Sequence, residues 1–210
     1  MDIIKNKDTK VSFIGISLGG LSTTESAVAV VDRNQHIVML DKLFSMSDVK
    51  YFIDNWAGKQ NSIILISVPE NEVMLSNKWK YNSRTYVPVN LDNKMMNRDG
   101  WTNRFATRGS EYFKELYESG LDVYRFDVDN MKKVFGNCFA FRDRTPVDCK
   151  FLQDTLRIKY GLRELPVNML PVAQLEAVLG ALLAQMIATN NMSYEYKKIG
   201  TYEGLPVLGI

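Results

Sequence analysis

The sequence predicts an α/β fold on a mixed sheet: three antiparallel meander strands, then parallel strands, with helices packed on both faces. Three observations predict it. First, residues 11–17 and 26–31 are apolar runs divided by a turn cluster, Gly19-Gly20 with Ser22, Thr23 and Thr24. A second turn signal, Asp32-Arg33-Asn34-Gln35, leads into the apolar residues 37–40 and completes a meander. Second, SIILISVPEN holds the run Ile63 to Val68, apolar except for Ser67 and stopped by Pro69. A strand without alternation is covered on both faces, which places it centrally among parallel neighbours. Third, helical spacing alternates with strand patterns from residue 47 onward.

Taken in order, Ser47 reads as the cap of a helix carrying Val49, Phe52, Ile53 and Trp56, with Gly58 at its stop. After the strand at 63–68, residues 71–108 are polar, aromatic and weakly periodic. A stretch that long between regular elements indicates a functional excursion or an added subdomain. A helix is expected from Ser110 to Tyr117, ended by Gly120, and LDVYRF reads as the next strand. Further helices are expected near 129–135 and 147–160, the latter stopped by Gly161. In PVAQLEAVLGALLAQMIAT, Pro171 suits the first turn, and 172, 175, 179, 182, 183 and 186 form a wide apolar face with Glu176 near its edge. YKKIGTYEGLPVLGI closes with a turn and an apolar, strand-like end. The parallel steps call for right-handed crossovers.

Composition narrows the chemistry. The 210 residues, 46% hydrophobic and 24% charged, fit a single domain spanning 1–210 with the excursion at 71–108. No apolar run is read as reaching bilayer-spanning length, so no membrane partner is expected. The start, MDIIKNKDTK, lacks the order of a secretory signal, which gives a cytoplasmic expectation. Cys138 and Cys149 read as reduced thiols rather than a disulfide or zinc pair. His36 is the one histidine, and it reads as an exposed strand-start residue. A His-rich zinc site cannot be assembled, and a Ser-His-Asp or Cys-His arrangement would need His36 itself. Hydrolysis would therefore rest on carboxylates, hydroxyls, lysines or carboxylate-bound metal.

The net charge of +2 says little about nucleic acid, but its distribution says more. Between Ser76 and Arg108 lie Lys78, Lys80, Arg84, Lys94, Arg98, Arg104 and Arg108 against Asp92 and Asp99, a local net charge of +5. Trp79, Tyr81, Tyr86, Trp101 and Phe105 are interleaved with them. Cations that neutralise phosphates and rings that stack on bases are the ingredients of single-strand binding, which makes Trp79, Lys80, Trp101, Arg104 and Arg108 candidate contacts. The same residues also fit a surface excursion docked by its aromatics, or a contact with another protein chain. Gly19-Gly20 with its hydroxyl cluster could cradle a phosphate, and a plain hairpin turn explains it equally.

The element order, with GISLGG-(x)5-SAVAVVD, SIILISVPEN and QLEAVLGALLA, resembles the ribonuclease-H-like superfamily. Ile199-Gly200-Thr201-Tyr202-Glu203-Gly204 and the helix from Glu176 to Ala184 are similar to one predicted-nuclease branch, domain-of-unknown-function family four-two-nine. That resemblance implies carboxylates at strand ends and on the last helix around magnesium or manganese, two hard cations that take oxygen ligands. It places Ser17, Ser67 and Glu176 at the metal positions. Two of the three are serines, so the implied site is degenerate, and a binding role for nucleic acid or a protein partner is expected. A working nuclease would need Glu176 together with substitute acids such as Glu70 or Asp127, with Glu25 and Glu72 also nearby in sequence. An actin-like phosphotransferase would need two lobes, for which the chain is too short.

Overall fold

The computed structural model describes residues 11–18, 26–56, 61–68, 111–136, 145–189, 196–202 and 204–209. The fully buried run after Val11 forms β1 (Ser12–Ser17), and Ser26–Val31 forms β2 beside it, antiparallel. The turn at Asp32 is closed by its own side chain, whose Oδ1 accepts from the backbone of Asn34 and His36 at 2.8 and 2.9 Å. β3 (Ile37–Leu43) then returns antiparallel to β2. Partly exposed between Ile37 and Leu43, it is an edge strand of the sheet, whereas β1 and β2 are buried on both faces.

Helix α1 (Met46–Trp56) follows. Its cap is Ser45 rather than Ser47: Ser45 Oγ accepts from Asp48 N at 3.2 Å, and the Asp48 carboxylate accepts from Ser45 N at 2.8 Å. This reciprocal pair satisfies donors that the first turn leaves open. β4 (Ser62–Ser67) lies between β1 and β5 (Asp122–Phe126), parallel to both, as its apolar, non-alternating pattern predicts. Residues 111–118 form α2, and Gly120 ends it with φ +90°, a conformation glycine adopts without Cβ strain.

Three helices follow β5. They are α3 (Val128–Gly136), α4 (Pro146–Ile158, capped by Thr145) and α5 (Val172–Thr189). β6 (Lys197–Tyr202) and β7 (Leu205–Gly209) form an antiparallel hairpin, and β7 joins the sheet parallel to β5. The strand order is β3-β2-β1-β4-β5-β7-β6. This is the expected mixed sheet: an antiparallel meander joined to parallel strands, with helices on both faces.

Alternation along the strands divides the core. Phe13, Ala27, Ala29, Ile63, Leu65 and Phe126 face α5, α3 and α4. Ile14, Ile16, Val28, Val30, Ile64 and Ile66 face α1 and α2, meeting Val49, Phe52, Ile53 and Phe113. α5 lies across β1, β2 and β4. The one-sided face expected of it is replaced by burial nearly all round, from Leu175 through Ile187. By length and composition α5 could cross a bilayer, contrary to the sequence expectation, but 72% of it is buried within the protein. Gly15 makes that central seat possible, since a Cβ there would stand 1.9 Å from the Ala177 carbonyl oxygen.

Candidate functional site

The C-terminal ends of β1, β4 and β5 lie side by side. Ile16 pairs with Ile66, and Ser67 pairs with Phe126, so Ser17, Ser67 and Asp127 emerge at one edge of the parallel sheet. In open α/β sheets this carboxyl edge, near the strand where the order reverses, is where sites assemble.

The helices bring two further groups to it. Glu176 lies in the first part of α5 and is 6% exposed, so its expected place at the edge of the apolar face is corrected to the interior. Its Oε2 accepts from Ser17 Oγ at 2.9 Å. Its Oε1 accepts from Lys132 Nζ at 2.7 Å, with the two side chains 7% and 3% exposed. Lys132 comes from α3, whose Met131 and Phe135 are sunk in the core beside it. Taking both charges out of water is costly, and only their short separation and added hydrogen bonds offset that cost.

The other strand-end groups are engaged locally. Ser67 Oγ accepts from Leu18 N at 3.0 Å, which ties the end of β4 to the end of β1. Asp127, 7% exposed, starts α3: its Oδ1 accepts from Asn130 N at 3.1 Å, and its carbonyl accepts from Met131 N at 3.1 Å. A carboxylate at that position also meets the positive end of the helix dipole. On the opposite face of the sheet, Arg125 is fully buried. One of its Nη atoms donates to the Ser67 carbonyl at 3.1 Å, and its guanidinium lies 5.5 Å from the Phe113 ring centroid.

Of the expected metal residues, Ser17 and Glu176 are therefore bonded to each other, Ser67 is one strand away, and Asp127 serves as a helix cap. Glu70, Glu25, Glu72, Glu203, the turn at Gly19-Gly20, and Trp79, Lys80, Trp101, Arg104 and Arg108 lie outside the described residues. Cys138 does too, whereas Cys149 is buried. His36 is half-buried rather than exposed: its ring stands 3.3 Å from an Arg163 Nη, and their backbones form an isolated bridge. Sequence patterns gave no sign of Lys132 or Arg125, because a lysine in DNMKKVFG and an arginine in LDVYRF both read as surface residues. The one available signal was position, since each directly adjoins an apolar residue that faces the core.

A hard divalent ion needs several oxygen ligands and a net negative cage. Here the matching positions supply one carboxylate and two neutral hydroxyls, and an ammonium already holds that carboxylate. Among the described residues, these side chains do not fit a magnesium or manganese centre. Among the described residues, no group of three or more His, Cys, Asp or Glu side chains could hold a metal ion.

No family model matches the chain, and no curated protein matches it. Among solved structures, RuvC from Thermus thermophilus is similar at 12% identity, over 87% of this chain and 96% of that one, with a TM-score of 0.47. A likeness at that level transfers no residue roles.

Proposed function

We propose that this protein uses a ribonuclease-H-like scaffold without the metal chemistry such a scaffold implies, and that its role is binding. The observation that carries this reading is the Lys132 ammonium on Glu176 at 2.7 Å. The last-helix carboxylate, the one acid kept at a matching position, is neutralised from within the chain. Ser17 and Ser67 supply hydroxyls where a charged cage would be needed, and Asp127 is committed to capping α3. The basic aromatic residues between Ser76 and Arg108 point to single-stranded or structured nucleic acid as the bound class.

The test compares thermal melting of the protein with and without millimolar magnesium or manganese, alongside cleavage of labelled single-stranded and branched DNA. The expected result is an unmoved melting midpoint and intact substrate. Stabilisation by manganese together with cleavage, both lost in Glu176→Ala, would replace this reading with a nuclease whose substitute ligands include Glu70 or Asp127.

A further inference from the structure

We infer that the place where β1, α3 and α5 meet is a site for one primary ammonium group, filled in the native protein by the Lys132 side chain and able to take a free alkylammonium ion when that side chain is shortened. This inference rests on the reading that no divalent metal occupies the site.

Three features of the geometry support it. The Glu176 carboxylate presents its two oxygens to different partners, Oε1 to Lys132 Nζ and Oε2 to Ser17 Oγ. Ser17 is fully buried, so the hydroxyl holds the carboxylate in place without adding charge. Lys132 and Glu176 are 2% and 6% exposed, so water does not replace the ammonium cheaply if it is removed. Charge balance sets the class of ligand. The Glu176 carboxylate, held by the neutral Ser17 hydroxyl, matches one positive charge, and an N–H donor group matches the 2.7 Å contact that the lysine ammonium now makes with it. A divalent ion would be left under-coordinated and under-neutralised in the same place.

The experiment is a chemical rescue. Lys132→Ala removes three methylenes and the ammonium; ethylammonium restores the charge and two of those carbons, leaving room for a non-bonded gap to the alanine Cβ. The melting midpoint of the variant is measured in ethylammonium chloride, with sodium chloride and magnesium chloride at equal ionic strength as controls. At about ten times its dissociation constant, ethylammonium should raise the midpoint by about 3–6 °C and leave the wild type unmoved. Lys132→Ala/Glu176→Gln should show no such rise, which separates occupancy of the site from a general effect of the amine. If Lys132→Ala does not fold in ordinary buffer, refolding with and without ethylammonium reads the same site through the recovered folded fraction. Equal effects of ethylammonium and sodium overturn the inference, as does a rise that persists in the double variant. Magnesium or manganese stabilising the wild type is a different outcome, and it would remove the metal-free reading on which the inference rests.

Discussion

Gly15 on β1 and Gly180 on α5 face each other, and a Cβ on Gly180 would stand 3.1 Å from the Gly15 Cα. Two residues further along the strand is Ser17, and four residues back along the helix is Glu176. Two strand residues span about 6.6 Å. Four helical residues span about 6.0 Å. The glycine contact and the Ser17–Glu176 hydrogen bond are therefore successive rungs of one antiparallel helix-on-strand seam. Close backbone approach at the first rung sets the height at which the carboxylate meets the hydroxyl at the second.

That seam predicts unequal costs for adding a methyl group. Gly15→Ala places Cβ 1.9 Å from a carbonyl oxygen of the helix backbone, and backbone cannot move aside without displacing α5. Gly180→Ala meets the Phe126 ring at 2.7 Å, which a side chain can partly yield. Gly15→Ala should lose at least about 3 kcal/mol and Gly180→Ala about 1–3 kcal/mol. Urea denaturation checks the order, and equal midpoints would contradict it.

Glu176→Ala should destabilise more than Gly180→Ala, because it strands the Lys132 ammonium in the core. Breaking a buried pair from one side costs about 3–5 kcal/mol, while replacing both partners by apolar groups is often near neutral. Lys132→Met and Glu176→Leu should each show the large loss, and the double variant should recover most of it. A double-mutant cycle by chemical denaturation measures the coupling, and additive losses would show that the pair does not interact as drawn.

Restoring acids alone should not restore metal binding. Ser17→Asp/Ser67→Asp leaves Lys132 on Glu176 and crowds new carboxylates into a buried place, which destabilises the protein. Adding Lys132→Ala removes the internal cation and leaves three carboxylates together. Calorimetry should detect manganese binding in the triple variant and none in the double. Equal binding in both would mean that Lys132 does not block the site.

Alkaline stability should be limited by two tyrosines. Burial pushes the Tyr124 hydroxyl up to about 12, with the negative charge of Asp122 adding to it. Burial does the same for Tyr112, also to about 12, helped by Asp54 and Glu115. An unfolded chain ionises near the ordinary value of 10.0, so above that pH the folded state holds more protons and stability falls as pH rises. The contribution is whole below 10.0 and lost through about 12. Tyr124→Phe gives up one exposed 3.3 Å hydrogen bond to Asp122 and should flatten the decline. Denaturation midpoints at about pH 9 and about pH 11 would show it, and an identical drop in the variant would rule Tyr124 out as a contributor.

If the stretch from Ser76 to Arg108 contacts single strands, affinity should fall with salt by a slope near about −0.7 per neutralised phosphate. Trp79→Ala or Trp101→Ala should cost about 1–3 kcal/mol for a base stacked there. Arg104→Ala/Arg108→Ala should flatten the slope by about one to two units without changing base preference. Fluorescence titration at low salt measures all three. No binding of DNA or RNA would turn the proposal toward a protein partner.

Local pattern was enough to determine the element order as far as the last helix, while the strand β6 before the final turn was not read from it. Apolar runs bounded by turn residues marked β1, β2 and β4, and the Ile63–Val68 run, apolar but for Ser67, marked a central parallel strand. These features are legible because backbone geometry imposes a period on burial, and residues within one element report it. The site is not periodic. Lys132 and Lys133 are identical neighbours in sequence, yet one is 2% exposed and the other lies at the surface. Ser17 and Glu176 are 159 residues apart and share one hydrogen bond. Which polar side chain loses its water, and what partner compensates it, depends on how α3 and α5 seat on the sheet. Only the tertiary structure decided that, because desolvation is set by everything packed around a group rather than by its neighbours along the chain.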